Sequence, residues 1–439
     1  KILFLTHYFP PEVNAPASRT YEHCVRWVKA GHEVTVVTCA PNCPDGVVFE
    51  GYRNRLRRQV EMVDGIRVVR VWTYLAANSG MVRRIANYLS FMLLATMACL
   101  RLPRPDVVVA TSPQFFCGWA GVLVSWLKWR PLVLEIRDIW PESISAVGAM
   151  RKGIVIRFLE WLERRMYRAA DHIVAVGRGY ADNIAGKVDV GDRISVVMNG
   201  VDLQQFQPQE CDDKFLTEYG LTGKFVCSYI GTIGMAHGLE VVVEAALLLK
   251  GQGRDDVRFC LVGDGARRES IHQLARDKGV EELVVFTGRQ PKERMPAILA
   301  SSGACLIHLR GCELFGTVIP SKIFETMAMG RPIIMGVQGE ARDLVEAAGA
   351  GLVMQPDSAE SLVDCVDQLI EDPELRGRLQ TRGRDFVREN YNRDELAAEM
   401  LATLQQVAGD ETRTGAEQVA ADGNRSQSRH DEVLEASQP

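Results

Sequence analysis

Phe225-Val-Cys-Ser-Tyr-Ile230 runs directly into Gly231-Thr-Ile-Gly234-Met-Ala-His237-Gly238 and then into a helix expected to begin near Gly238. A short apolar run of this kind suits a strand buried on both faces. Glycines after the strand let the backbone approach an anion, and a helix beginning near Gly238 offers unpaired N–H groups and the positive end of its dipole. A plain strand-to-helix turn uses the same residues, so both readings stand. Gly263-Asp264-Gly265 repeats the arrangement one strand later.

Outward from this unit, apolar runs alternate with helical stretches along most of the chain. The expected strands upstream are Ile2–Phe9, Val34–Thr38, Ile66–Val71, Val107–Ala110, Leu132–Ile136, His172–Val176 and Ile194–Met198. The series restarts at Phe225–Ile230 and continues through Val257–Val262, Leu283–Phe286, Ala304–His308, Pro332–Met335 and Gly351–Met354. Strands alternating with helices predict parallel sheets built from βαβ units. Two series predict an α/β protein of two doubly wound, Rossmann-like domains facing across a cleft, with ligands at the carboxyl ends of the strands. Asn199-Gly200-Val201-Asp202 lies between the series and reads as the joint, since Asn-Gly permits a sharp turn. The expected domains are 1–199 and 200–390. Residues 391–408 form a closing helix free to pack back toward the first domain, and 409–439 form a disordered tail, polar and without aromatics.

At 439 residues, 47% hydrophobic and 24% charged, the chain has room for two cores of roughly 200 residues each. A net charge of −5 argues against general nucleic-acid binding. The eleven cysteines are scattered, and only Cys39 and Cys43 are close enough to chelate, without a second pair at metal-site spacing. No metal site is expected, and buried thiols are the better reading. The first strand-like run begins at Ile2 with no secretory pattern ahead of it, so a cytoplasmic location is expected.

The stretch Ile319-Pro-Ser-Lys322-Ile-Phe-Glu325-Thr-Met-Ala-Met-Gly330-Arg-Pro332 carries more chemistry. Pro320 suits a first helical position, leaving the next N–H groups for a diphosphate, to which Lys322 adds a full charge. Glu325, one turn on, has two acceptor oxygens for the two hydroxyls of a ribose. Gly330 ends the helix. A surface helix with a Lys322–Glu325 ion pair at i,i+3 accounts for the same residues.

The pattern Pro320-Ser321-Lys322…Glu325…Met327-Ala328…Gly330…Pro332, together with Gly231–Gly238 and Gly263-Asp264-Gly265, resembles the retaining family-four (group 1) glycosyltransferases of the GT-B fold. The resemblance extends to Asn199-Gly200-Val201-Asp202…Phe206, Pro10-Pro11-Glu12…Arg19 and Gly31-His32-Glu33-Val34, about residues 1–405. Arg137-Asp138-Ile139-Trp140-Pro141-Glu142-Ser143 is similar to the bacterial branch that builds O-antigen, capsule or exopolysaccharide on a lipid carrier. The resemblance implies that Glu325 holds the ribose. Gly231, Thr232, Gly234, His237, Gly263, Ser321 and Lys322 hold the diphosphate, and backbone near Gly288, Arg289 and Gln290 meets the base. It also implies no cofactor and no required metal, a nucleotide-diphosphate sugar donor with UDP favoured, bound by residues 200–390, and a lipid-diphosphate-linked sugar acceptor, bound by residues 1–199. The sequence departs from the family at Thr317, where a second Glu is common and where Glu313 lies near in sequence. It departs again at Thr232 and His237, where many members carry Arg and Lys, so that phosphate neutralisation is expected to rest on Lys322 and His237.

In the first half, Asn14-Ala15 stands where the family often has two glycines, and Asn14 is carried over as an acceptor contact. Arg19 is either an exposed basic residue or a contact to an anionic acceptor. Arg137 and Asp138 follow the strand Leu132–Ile136. Asp138 either orients a hydroxyl or pairs with Arg137 or Arg19. Asp138, His237 and Lys322 are the expected catalytic residues. No buried nucleophile stands out, which favours front-face transfer, with the leaving phosphate taking the acceptor proton, over a covalent intermediate.

Asn87–Leu100 is apolar nearly all round and flanked by Arg83, Arg84, Arg101 and Arg104. Its 14 residues are fewer than the about 20 a bilayer span needs. It is either a core helix or a surface that dips into the cytoplasmic face of the inner membrane, with the run Arg53, Arg55, Arg57, Arg58 assisting. A GT-B-type sugar-nucleotide epimerase and a non-catalytic two-lobed binding protein are the competing readings.

Overall fold

The computed structural model describes residues 1–43, 46–75, 81–143, 153–311 and 313–410. The expected tail beyond 410 and the side chain of Glu313 lie outside the described residues. The chain divides into two compact units, residues 1–199 with the last described helix from Asp394, and residues 200–393.

The first unit is an eight-stranded sheet of β1 (Ile2–Leu5), β2 (Val34–Cys39), β3 (Gln59–Val63), β4 (Ile66–Val71), β5 (Val107–Thr111), β6 (Leu132–Ile136), β7 (His172–Ala175) and β8 (Ile194–Val196). Its order is β3-β4-β2-β1-β5-β6-β7-β8, parallel except for β3. The helices are α1 (Ala15–Lys29), α2 (Met81–Leu100), α3 (Phe115–Lys128), α4 (Ile154–Ala169) and α5 (Arg178–Lys187). One face of the sheet buries Phe91, Phe115, Leu159 and Ile184 beneath α2 to α5. The other buries Phe4 and Val36 beneath Trp27 of α1 and Met400 of the final helix.

Two strand expectations change for local reasons. β1 stops at Leu5, short of Phe9, because the chain folds back on itself: the Phe9 N–H donates to Glu12 Oε2 and the Glu12 N–H to the Phe9 carbonyl. β3 was not expected. Its exposed Val60 and Met62 alternate with half-buried neighbours on an edge, and Asp64 and Gly65, both at positive φ, turn it into β4. Such an Asp-Gly hairpin turn is a legible signal.

The second unit is a fully parallel sheet of β9 (Phe225–Ile230), β10 (Val257–Val262), β11 (Val284–Gly288), β12 (Ala304–His308), β13 (Ile333–Gly336) and β14 (Gly351–Val353), in the order β11-β10-β9-β12-β13-β14. Its helices are α6 (Asp213–Glu218), α7 (Glu240–Gly251), α8 (Arg268–Asp277), α9 (Met295–Ala300), α10 (Lys322–Ala328), α11 (Glu340–Ala347), α12 (Ala359–Glu371) and α13 (Pro373–Asn390). α14 (Arg393–Asp410) follows. It joins the first unit, where Trp27 Nε1–H donates to the Ala397 carbonyl at 2.8 Å. Strand order reverses between β9 and β12, which makes the carboxyl ends of these two strands the natural binding crevice of a doubly wound sheet.

Candidate active site

At that crevice the two glycine loops are joined side by side. The Gly231 N–H donates to the Val262 carbonyl at 2.9 Å, the Ile233 N–H to Asp264 at 2.9 Å, and the Gly263 N–H to Gly288 at 2.9 Å. A Cβ on Gly263, at φ 141°, would stand 1.9 Å from the Gly231 carbonyl oxygen, so only glycine fits there. The loops are a rigid backbone surface rather than a loose turn.

A short 3-10 turn over Met235–His237 precedes α7, which begins at Glu240, close to the expected start near Gly238. All three carbonyls of the turn are bonded from the end of β12 and its extension. Arg310 donates from Nε to Met235 at 2.8 Å and from its N–H to Ala236 at 2.9 Å. His308 Nδ1 lies 2.7 Å from the His237 carbonyl, which can only accept, so Nδ1 carries the proton. His308 Nε2 accepts from the Asp357 N–H at 3.0 Å. Both ring nitrogens are therefore committed, and burial keeps this ring neutral by lowering its pKa. Sequence reasoning missed His308 and Arg310, although both sit at the carboxyl end of a strand, where such residues are to be sought.

His237 Nδ1 accepts from the Gly234 N–H at 3.2 Å, so its neutral ring carries the proton on Nε2. Burial, reinforced by the charge of Lys322, lowers its pKa to about 3. The expectation that His237 neutralises phosphate charge is corrected: near neutral pH it offers one N–H donor and no charge.

Lys322 opens α10, two residues after Pro320, so Pro320 is not the first helical residue. The N–H groups of Ile323 and Phe324 already bond the carbonyls of Pro320 and Ser321, which narrows the set left for a ligand. Ser321 is the N-cap but makes no side-chain cap bond. The helix closes as expected: Gly330, at φ 61°, donates to Met327 at 2.9 Å and Arg331 to Thr326 at 3.0 Å, a Schellman ending. Lys322 Nζ is shielded from solvent, has no hydrogen-bond partner, and lies 3.7 Å from the centroid of the Tyr229 ring. It would be 3.2 Å from a Cβ on Gly231, so the glycine keeps the ammonium open to the loop. No ion pair joins Lys322 to Glu325 among the described residues, which removes the surface-pair reading. Burial lowers Lys322 to about 7, and burial raises Glu325 to about 7 against the charges of Lys292 and Lys322. Lys292, a second cation toward Glu325, was also missed.

At the end of β11, Gly288 adopts φ 70° and Arg289 is exposed. Gln290 donates to the Tyr219 hydroxyl at 3.1 Å and to the Thr287 carbonyl at 3.2 Å. Thr317 ends a 3-10 turn that starts at Glu313 and is half-buried.

In the first unit, Asp138 follows β6. Ser112 Oγ accepts from the N–H groups of Arg137 at 2.7 Å and Asp138 at 3.2 Å, and Ser143 Oγ donates to Asp138 Oδ2 at 3.3 Å. Burial raises the Asp138 carboxyl to about 6. It pairs with neither arginine and lines a small pocket with Ser112, Phe115, Trp140 and Tyr167. Arg137 donates to the carbonyls of Pro16 at 3.2 Å and Ala15 at 3.0 Å, tying β6 to the start of α1.

Arg19 and Asn14 both make structural bonds. Arg19 is buried, and its guanidinium bonds Glu135 at 2.8 Å, the Met198 and Val197 carbonyls, and Asn199 Oδ1. It is neither the exposed residue nor the open anion contact expected. Burial works against the Glu135 charge, but Arg19 and Arg137 hold its carboxyl down to about 2. Asn14 caps α1 by accepting from the Ala17 N–H at 2.9 Å.

Two family models cover most of the chain, a glycosyl transferase 4-like domain over residues 14–200 and glycosyl transferases group 1 over residues 214–386. The chain belongs to the group 1 glycosyltransferases. This GT-B glycosyltransferase is 25% identical over 415 residues to the putative colanic acid biosynthesis glycosyl transferase WcaI of Escherichia coli K12, covering 91% of this chain and 98% of that one. Its fold is similar to sucrose-phosphate synthase of Thermosynechococcus elongatus, with TM-score 0.74, 16% identity and coverage of 93% and 99%. It is also similar to HepE of Anabaena in complex with UDP and glucose, with TM-score 0.68, 18% identity and coverage of 92% and 99%.

Proposed function

We propose that this glycosyltransferase moves a hexose, deoxyhexose or N-acetyl-aminosugar from a nucleotide-diphosphate sugar, UDP favoured, to a lipid-diphosphate-linked glycan in bacterial surface polysaccharide synthesis. The observation that carries the donor reading is the shielded, unpartnered Lys322 ammonium beside the glycine loop at Gly231. A buried cation without a partner is costly, and an anionic group in that place offsets the cost. Lys322 and the Nε2–H of His237 would then face the diphosphate, and Glu325 the ribose. The similarity to a colanic acid biosynthesis glycosyl transferase supports a polysaccharide acceptor, and that to HepE, which binds UDP and glucose, supports a uridine donor.

In the transfer, the bond from the anomeric carbon to the diphosphate breaks with its electron pair left on phosphate oxygen. Lys322 and His237 stabilise that developing charge. The acceptor hydroxyl bonds to the same face of the carbon, and its proton passes to the leaving phosphate, so configuration is retained. Asp138, ionised above about pH 6, orients a hydroxyl and does not attack carbon. A glycosyl adduct on Asp138 seen by mass spectrometry would rule this route out. Lys322 supplies the positive charge that would otherwise come from a metal, so none is required in this reading. The lipid carrier implies peripheral contact with the cytoplasmic face of the inner membrane. Among the described residues no helix is long and apolar enough to cross a membrane.

Nucleotide release assayed against a panel of lipid-diphosphate sugars tests the assignment. Acceptor-dependent release is expected. Sugar interconversion without acceptor would establish an epimerase instead, and neither activity would leave a binding protein.

A further inference from the structure

α4 packs Ile156, Leu159, Met166 and Tyr167 into the first unit, as an amphipathic helix should. Its opposite face is not polar where it begins. Ile154 is 86% exposed, Phe158 55% and Trp161 49%, one turn apart along a single stripe. The Phe158 and Trp161 rings stack at 5.9 Å and 19° in the open. Around the stripe stand the exposed Arg157, Arg164, Arg165 and Arg168, with the Arg165 guanidinium 5.1 Å from the Trp161 ring centroid. Half-buried Glu160 is the acidic group among them. We propose that this face of α4 docks on an anionic bilayer, its aromatic and aliphatic side chains entering the acyl boundary and its arginines pairing with lipid phosphates.

Charge complementarity selects this occupant. A second copy of the chain would bring arginines against arginines, whereas phosphate-bearing headgroups match both the cations and the apolar stripe. The same helical layer includes α2, which turns Phe91, Ala95 and Cys99 into the core and leaves Leu93, Met97 and Leu100 exposed. The core-helix expectation for Asn87–Leu100 therefore holds for one side of α2, and α4 supplies the aromatic anchors. The proposal deepens the peripheral-membrane reading above and rests on it.

The test is co-sedimentation of the full chain with vesicles of phosphatidylcholine alone or with roughly one-third phosphatidylglycerol, at low and raised salt. Binding to the anionic vesicles is expected, weakened by salt, and reduced at least about tenfold in Ile154→Ser/Phe158→Ser/Trp161→Ser. Thermal stabilisation by UDP, read in the same samples, should stay at the wild-type value. If the triple variant does not fold, Arg157→Glu/Arg164→Glu/Arg165→Glu, all at exposed positions, should show the same loss. Unchanged binding by a folded α4 variant, with loss instead in Leu93→Ser/Met97→Ser/Leu100→Ser, would overturn the assignment to α4 and keep the membrane reading. No vesicle binding by the wild type would overturn both. Equal binding to neutral and anionic vesicles would overturn the role of the arginines. A dimer that the triple variant dissolves, without vesicle binding, would make a second copy the occupant.

Discussion

The Lys322 ammonium lies 3.7 Å from the centroid of the Tyr229 ring and has no hydrogen-bond acceptor. The ring face partly offsets the charge but leaves the N–H groups unused. A cation held this way is set up for a ligand that brings its own oxygens.

That relationship fixes a pH dependence. Lys322, lowered to about 7, is already charged below that value. Above it, binding must draw a proton from solvent, and affinity falls by up to about tenfold per pH unit. Glu325, raised to about 7, has the opposite sign: below that value binding must expel a proton, and affinity falls with falling pH. Calorimetric affinity for UDP-glucose is therefore expected to peak near pH 7, with the acid limb flattened in Glu325→Gln.

The His308 ring joins the His237 carbonyl to the Asp357 N–H. His308→Phe leaves both unpaired and is expected to cost about 1–3 kcal/mol of stability. Because the freed carbonyl belongs to the turn that carries His237, KM for the donor should rise more than kcat falls. Denaturant unfolding and donor-dependent kinetics check the two halves.

Much of this is legible in the sequence, for physical reasons that differ by residue. Strands buried on both faces announce themselves, so β4, β6, β9, β10 and β12 match their expected limits. Lys322 and Glu325 are readable because both sit on one helix turn, and spacing along a helix is local information. Tyr229 and His308 come to the same crevice from different strands, through sheet order that no single run of residues encodes. Arg19 shows the opposite failure. Residue type suggests an exposed cation, but its partner Glu135 is 116 positions away and invisible to local reading.

Arg19→Ala removes one member of a buried, hydrogen-bonded pair and leaves Glu135 to the more distant charge of Arg137 and the Thr111 hydroxyl. A loss of about 3–5 kcal/mol is expected in chemical denaturation. A stable variant with a selectively raised acceptor KM would instead restore Arg19 as an acceptor contact.

Gly263→Ala places a Cβ on the Gly231 carbonyl oxygen at a φ that disfavours side chains. It is expected to destabilise the protein by about 2–4 kcal/mol and to abolish UDP stabilisation in a thermal-shift assay. The change Gly253→Ala before β10, at the opposite end of the strand, where a Cβ meets nothing within 4 Å, has only its positive φ to contend with and should spare UDP binding.

The central claim is that Lys322 and Glu325 grip the nucleotide diphosphate and its ribose. Titration calorimetry of UDP into the wild type, Lys322→Ala and Glu325→Ala, with folding verified by melting curves, tests it most directly. The expected result is measurable binding by the wild type and a loss of at least about 2 kcal/mol in each variant, as for hydrogen bonds to charged groups. Wild-type affinity retained in either folded variant would contradict it.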